Sequence, residues 1–220
     1  RTETLNFGAG YIGDIAGRTL SIDVGGFHTD ITNRIQTTTG LTPNTRFNND
    51  AVTEIRGAVF DADYAFTRNI QASVSYTRQQ ARLAGSTRQI NATPLWFATA
   101  NVRIQSDDGR WHFSLLPRMQ GKEIIQAPAV SGLPDFDYGD WFVLNATVQY
   151  WMGDDRQHRF QLRGVNLLDE EYGERGAFGN QFYGSAFIRG EFTNTDPEYF
   201  YPYIFQGKRR AFYVTYSYQF

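Results

Sequence analysis

The sequence predicts an all-β fold, an antiparallel transmembrane β-barrel to which these 220 residues contribute about nine strands. Three observations predict it. Residues Ala211 to Phe220 alternate without a break between large apolar and small or polar side chains. Short and long connections between such alternating segments follow one another regularly, and aromatic residues stand beside every short connection.

The terminal segment sets the pattern. Phe212, Val214, Tyr216, Tyr218 and Phe220 fall on one face, and Ala211, Tyr213, Thr215, Ser217 and Gln219 on the other. A strand has side-chain period two, so the segment offers one apolar wall and one small or polar wall. An aromatic at the very end fits a last strand that closes a membrane barrel with its ring at headgroup level. The same period places strands near residues 3–12, 18–32, 54–66, 69–80, 95–105, 111–120, 139–151, 158–168 and 208–219. Their apolar faces are, for example, Leu20, Ile22 and Val24; Ile70, Ala72, Val74 and Tyr76; Ala98, Ala100, Val102 and Ile104; and Phe142, Leu144, Ala146, Val148 and Tyr150. The intervening residues, such as Gln71, Ser73, Ser75, Asn145, Thr147 and Gln149, suit a wet lumen.

Short connections are expected at 13–17, 67–68, 106–110 and 152–157, long ones at 33–53, 81–94, 121–138 and 168–207. Outer-membrane barrels show this asymmetry between periplasmic turns and extracellular loops. Tyr11, Tyr64, Trp111, Trp151, Tyr218 and Phe220 lie beside the short turns and are expected to form an aromatic girdle at one interface. Pro117 lacks an N–H and is expected at a strand end or bulge. Alternation falters around Gly164 and Asn166, and Asp61 and Asp63 must face the lumen if Phe60, Ala62 and Tyr64 face lipid. Nine strands is odd where single-chain bacterial barrels usually have an even number. The start at Arg1, inside a strand pattern and without an export signal, therefore predicts a fragment whose true N-terminus is missing.

Composition bounds the alternatives. No apolar run approaches the roughly 18 residues of a transmembrane helix, and a barrel, which hides apolar residues at every second position, tolerates the negative mean hydropathy. Zero cysteines exclude a disulfide framework and a thiolate metal site. A net charge of −2 supplies no broad cationic field for nucleic acid. The rival fold is a soluble β-sandwich or propeller, which also alternates. Loops of roughly 15 to 40 residues are long for a compact soluble domain.

The stretch Val165-Asn166-Leu167-Leu168-Asp169-Glu170-Glu171-Tyr172, followed later by Gly207-Lys208-Arg209-Arg210 and the aromatic last strand, resembles the C-terminal end of TonB-dependent outer-membrane receptors. Arg56-Gly57 and the segment from Ile90 to Pro94 resemble the same family more loosely; where the family often has a glutamate two residues after the glycine, this chain has Val59. The resemblance covers residues 1–220 but only the C-terminal part of a receptor whose barrel has about 22 strands. It implies an N-terminal plug and a TonB-contacting segment, neither present in this chain. It further implies a Gram-negative outer-membrane location, with lipid, lipopolysaccharide, the remaining barrel and, indirectly, TonB as partners. The implied function is energised uptake of a scarce small-molecule ligand, such as a ferric siderophore, a cobalamin or an oligosaccharide, without enzymatic activity, cofactor or metal. The alternatives are a passive porin or smaller ligand-binding barrel and, more remotely, an outer-membrane hydrolase.

Several motifs have competing readings. Gly8-Ala9-Gly10-Tyr11-Ile12-Gly13 satisfies the dinucleotide pattern G-x-G-x-x-G, which requires a following helix, whereas small lumen-facing glycines in a strand need none. His28, His112 and His158 are too dispersed to predict a chelate. His112 and Ser114 share a face, as a barrel esterase requires, or are plain lumen residues. Lys208, Arg209 and Arg210 either pair with lipopolysaccharide phosphates or snorkel at the girdle. Asp169, Glu170 and Glu171 read as a metal cluster or a solvated charge run. The loop after Tyr172 is the ligand-binding candidate, through Phe182, Tyr183, Phe187, Arg189, Tyr199 and Tyr201; its rings stack on a ligand or pack on each other.

Overall fold

The structure is a computed structural model describing residues 1–37, 46–49, 51–90, 93–126, 134–180 and 200–219. Nine strands form one antiparallel sheet: β1 (Thr2–Ile15), β2 (Arg18–Ile31), β5 (Thr53–Ala65), β6 (Ile70–Leu83), β7 (Trp96–Gln105), β8 (Trp111–Ile125), β9 (Phe136–Met152), β10 (His158–Val165) and β13 (Ala211–Tyr218), in that spatial order. Each strand lies beside its predecessor in this series, so the sheet is an up-and-down meander. Two small hairpins, β3 (Arg34–Thr37) with β4 (Arg46–Asn49) and β11 (Gly173–Asn180) with β12 (Phe200–Gln206), rise from two of the long connections. Sequence periodicity did not predict these hairpins.

The nine expected strands are all present, several of them longer than expected. The first turn is two residues, Ala16 and Gly17, rather than 13–17; their φ values of 52° and 73° are those of a type I′ hairpin, whose twist matches the flanking strands. β1 and β13 are the two edges of the sheet, so β13 does not close it within this chain. An open wall of this kind is what about nine strands from the C-terminal portion of a larger barrel are expected to form.

Register decides which side chains share a face. One row runs Val24, Phe60, Tyr76, Ala98, Met119, Phe142 across six strands, and another runs Ile70, Ile104, Phe113, Val148, Leu162, Val214. The alternation read separately in each strand therefore falls in phase across the sheet. The opposite face carries rows such as Asp23, Asp61, Ser75, Thr99, Arg118 and Gln71, Arg103, Ser114, Thr147, Arg163. Apolar residues also occur on that polar face, among them Phe27, Val59, Phe97, Leu116 and Val143. The apolar face is uncovered: Phe7, Val24, Leu162 and Val214 are 48–79% exposed, a patch far beyond what a soluble monomer shows.

Two local features place residues that alternation left unexplained. Pro117 sits within β8, not at its end; it pairs with Leu144 of β9, and the missing pairs lie on the β7 side between Thr99 and Val102, where its absent N–H leaves a gap. Gly57 is packed so closely that an added Cβ would strike the Arg78 carbonyl oxygen and the Phe27 ring. Backbone cannot yield as a side-chain tip does, so Gly57→Ala is expected to cost on the order of 1 to 3 kcal/mol, measurable as a lowered urea midpoint of the refolded barrel.

Candidate functional site

The polar face and its two rims form the candidate site. At the short-turn rim, successive turns are tied to one another. Arg68 reaches Asp107 at 2.8 Å and Asn69 donates to the same carboxylate at 2.6 Å, while Arg156 donates to the Asp108 carbonyl at 2.9 Å. Thr67 Oγ1 accepts from the N–H groups of Asn69 and Ile70, which caps its turn. The hydrogen bonds from Asn69 and Arg68 hold the Asp107 carboxyl below the ordinary carboxylate value.

Above this rim a cavity of about 440 Å³ opens on the polar face, lined among others by Gln71, Arg103, His112, Ser114, Thr147 and Gln149. Ser114 donates to Asn101 Oδ1 at 2.9 Å, and Gln149 to Gln161 Oε1 at 3.0 Å. His112 and Ser114 share the polar face, as alternation predicts, but the hydroxyl is engaged by Asn101, and the imidazole packs against the Trp151 indole at 4.4 Å. Thus no Ser–His hydrogen bond is present.

At the long-loop rim, Trp141 and Tyr172 pack at 4.9 Å, with the Arg118 guanidinium 5.8 Å from the Trp141 ring centroid. Tyr172 donates to Glu174 at 3.2 Å. Behind them a latch joins the exit of β10 to the entry of β13. Asn166 is fully buried with φ 49°; its Nδ2 donates to the carbonyls of Glu170 and Lys208, both at 2.9 Å, and its Oδ1 accepts from the Glu170 N–H at 2.9 Å. Its own N–H donates to Asn145 Oδ1. The faltering alternation at Asn166 is this departure from the ladder into the left-handed region, which asparagine tolerates.

Asp169 accepts from the Arg210 N–H at 3.0 Å and pairs with the Arg209 and Arg210 guanidinium groups at 3.4 and 3.6 Å, and Glu171 pairs with Arg209. The two charge runs singled out in the sequence therefore answer each other. Arg209 and Arg210 precede β13 rather than opening it, and their partners are carboxylates of this chain. Among the described residues no group of three metal-ligating side chains forms. The Arg210 N–H, helped by both guanidiniums, holds the Asp169 carboxyl below its ordinary value of 3.8. A depressed carboxyl stabilises the fold above the unfolded-state value and loses that contribution as pH falls through the folded one. The latch is therefore expected to weaken below about pH 3.8 in the native chain. Asp169→Asn should remove the difference between neutral and acid unfolding midpoints that this group contributes.

The remaining sequence-predicted residues divide as follows. Tyr11, Tyr64, Trp111 and Tyr218 stand on the apolar face near the short turns, opposite Ile22, Leu20, Tyr150 and His158 respectively. Trp151 does not: it pairs with Arg159 on the polar face, because Tyr150 occupies the apolar phase of β9, and its indole covers His112. Phe220, and Phe182, Tyr183, Phe187, Arg189 and Tyr199 of the loop, lie outside the described residues; Tyr201 is in β12, opposite Gly179. The glycines Gly8 and Gly10 lie within β1 facing Gly25 and Asp23, and no helix follows them, so the dinucleotide geometry is absent. His28, on the apolar face, pairs with Asp30 at 3.2 Å, and His158 hydrogen-bonds Tyr216 at 2.8 Å, so the histidines do not converge. Alternation gave no hint of the Asn166 latch contacts, which span 42 residues.

A family profile described as TonB dependent receptor-like, beta-barrel, matches residues 1–167. The chain belongs to the TonB-dependent receptor family. Its receptor fold is shared by solved structures of low sequence identity. The ferric-catecholate import receptor Fiu from Escherichia coli K12 superposes with a TM-score of 0.63 at 19% identity, covering 100% of this chain and 28% of that one. The ferripyoverdine receptor of the outer membrane of Pseudomonas aeruginosa gives 0.63 at 14% identity, covering 99% of this chain and 27% of that one. The copper transporter OprC gives 0.71 at 17% identity, covering 100% of this chain and 32% of that one. No curated protein sequence matches. The receptor barrel segment described here thus spans about a third or less of the length of these structures, and its wall is a partial barrel.

Proposed function

We propose that residues 1–220 are the C-terminal wall of an outer-membrane receptor barrel that takes up a scarce small-molecule ligand with energy delivered through TonB in a Gram-negative bacterium. The observation that carries this is the single apolar face, continuous through all nine strands and uncovered, backed by a polar face of the same extent. Such a wall is stable where hydrocarbon lies on one side and water or protein on the other. The apolar face meets lipid and the polar face lines the interior; the short-turn rim is periplasmic, and Tyr11, Tyr64, Trp111 and Tyr218 form its girdle.

The ligand class rests on the kin of this fold. Fiu imports ferric catecholates, and another structural neighbour is described as the ferric citrate transporter FecA. Ferric siderophore uptake is the first reading, with a cobalamin or an oligosaccharide as the other ligands of the same kind. The aromatic loop between Tyr172 and Gly207 closes the mouth over the ligand, by stacking from Phe182, Tyr183, Phe187, Tyr199 and Tyr201 and charge from Arg189. The chain acts by binding and gating, without chemistry on its ligand.

The test is accumulation of radiolabelled iron from a panel of ferric siderophores by cells dependent on the full-length receptor. Uptake of at least one member that stops on adding a protonophore is the expected result, and accumulation indifferent to the protonophore would establish a passive pore instead. Deleting residues 179–197 is expected to weaken this uptake while the barrel still assembles. Unchanged uptake would remove the loop from the ligand site.

A further inference from the structure

The apolar face carries a local cluster of cations at its long-loop end. On β5 and β6 its positions run, from that end inward, Glu54 opposite Arg82, Arg56 opposite Gln80 and Ala58 opposite Arg78, before the apolar row of Phe60 and Tyr76 begins. The nearby carboxylates are engaged: Asp30 meets His28 at 3.2 Å, and Glu54 pairs with Arg82 at 3.3 Å. Arg56 donates to Gln80 Oε1 at 2.8 and 3.2 Å, and neither it nor Arg78 has a carboxylate partner among the described residues. Both side chains are exposed. Positions of the same phase on β8 between Met119 and Ile125 hold Gly121 and Glu123, so the positive patch is confined to the β5–β6 sector.

Arg56 lies eight residues from Tyr64 at the short-turn end, about 27 Å along the strand, against an apolar band about 25 Å tall. The two guanidiniums therefore stand where hydrocarbon gives way to lipid headgroups, on stems that run over apolar surface. They are diagonal neighbours, about 7 to 8 Å apart at their roots, so both forks converge on one anionic group. Below Arg78, β7 presents Ala98 and Ala100 between Tyr76 and Val74 of β6 and Met119 of β8, a trough with a small-residue floor and bulky walls. The Trp96 indole leaves it open by lying over Gly121 on the far side. We infer that this patch binds a phosphorylated glycolipid of the outer leaflet, the lipid A portion of lipopolysaccharide, with Arg56 and Arg78 holding a phosphate and one acyl chain lying over Ala98 and Ala100. Guanidinium forks match phosphate oxygens bidentately. A phosphomonoester carries about −1.5 to −2 charge at neutral pH and answers two guanidiniums, whereas the phosphodiester of a glycerophospholipid answers one; free phosphate leaves the trough empty. The basic run before β13 is not this site, because Arg209 and Arg210 are answered by Asp169 and Glu171. The inference rests on the proposed contact of the apolar face with lipid.

The experiment extracts the full-length receptor from outer membranes in mild detergent and weighs it by native mass spectrometry. The unmutated receptor is expected to retain lipid A glycolipid. Arg56→Gln combined with Arg78→Gln should weaken retention on the order of a hundredfold, two charge-assisted contacts at about tenfold each. Ala98→Trp should displace the lipid with both arginines in place, and Arg209→Gln should retain it. Unboiled SDS gels of each variant separate loss of lipid from loss of fold. On unmutated receptor stripped and reloaded with lipid A, dephosphorylated lipid A, phosphatidylglycerol and inorganic phosphate at equal concentration should each fail to compete. Full retention by the double arginine variant, loss in Arg209→Gln alone, or displacement by any of the three competitors would each overturn the inference. A receptor that needs detergent to stay dispersed yet holds no glycolipid sinks this site alone, whereas one that stays dispersed in plain buffer sinks the reading of the apolar face beneath it.

Discussion

Val214→Arg is expected to destabilise the assembled receptor by about 2 to 4 kcal/mol, the depth-dependent cost of a guanidinium meeting hydrocarbon near midplane, while Thr215→Arg costs far less. The two residues are neighbours on one strand. Val214 pairs with Leu162 on the apolar face and is 79% exposed, whereas Thr215 pairs with Gln161 on the polar face. Strand propensity, position along the chain and distance from the terminus are nearly the same for both, so the difference isolates which face meets lipid. Urea titrations of the receptor refolded into lipid vesicles measure it. Equal costs would mean that neither face is in hydrocarbon and would remove the membrane assignment.

Asn166→Ala should be comparably damaging, by about 3 to 5 kcal/mol, since each buried polar group left without a partner costs about 1 to 3 kcal/mol. The substitution orphans the carbonyls of Glu170 and Lys208 and the N–H of Glu170, and it places alanine at a φ of 49°. Asn166→Gly separates the two contributions, because glycine relieves the backbone and restores none of the hydrogen bonds. Asn166→Asp keeps the acceptor for the Glu170 N–H and loses both donors. The expected order of urea midpoints is wild type, then Gly, then Ala, with Asp lowest because its buried carboxylate is set against the carbonyl oxygens of Glu170 and Lys208. An Ala variant as stable as wild type would show that the latch contributes nothing to joining β10 and β13.

These variants also separate what alternation specifies from what strand pairing specifies. Val214 and Thr215 are distinguishable from alternation alone, because side-chain direction in a strand is fixed by parity. The strands around Leu20, Ile70, Ala98 and Phe142 were legible for the same reason. Trp151 was misplaced since an aromatic beside a turn looks like a girdle residue until the phase of Tyr150 is known. Pro117 is expected at a strand end or a bulge because its missing N–H interrupts a ladder, and the interruption falls within β8 on the β7 side alone. The small hairpins β3–β4 and β11–β12 carry no strong alternation, and their pairing is a matter of which segments meet.

The Asn166 latch shows the boundary most clearly. That stretch resembles a family motif, but the reason for an asparagine there is a contact with Lys208 carried by chain closure across a long loop. Likewise, the acidic run at Asp169 and the basic run before β13 each had a plausible solitary role until the fold set them against each other.

By itself the sequence determined the nine strands of the main sheet, the facing of most side chains and the alternation of turns and loops, because these follow from a period of two and from turn chemistry, both local properties. The tertiary structure alone decided register, the partners of the charged runs, and the contact of Asn166 with Lys208. Those depend on which strands lie side by side, a relation that no single strand contains.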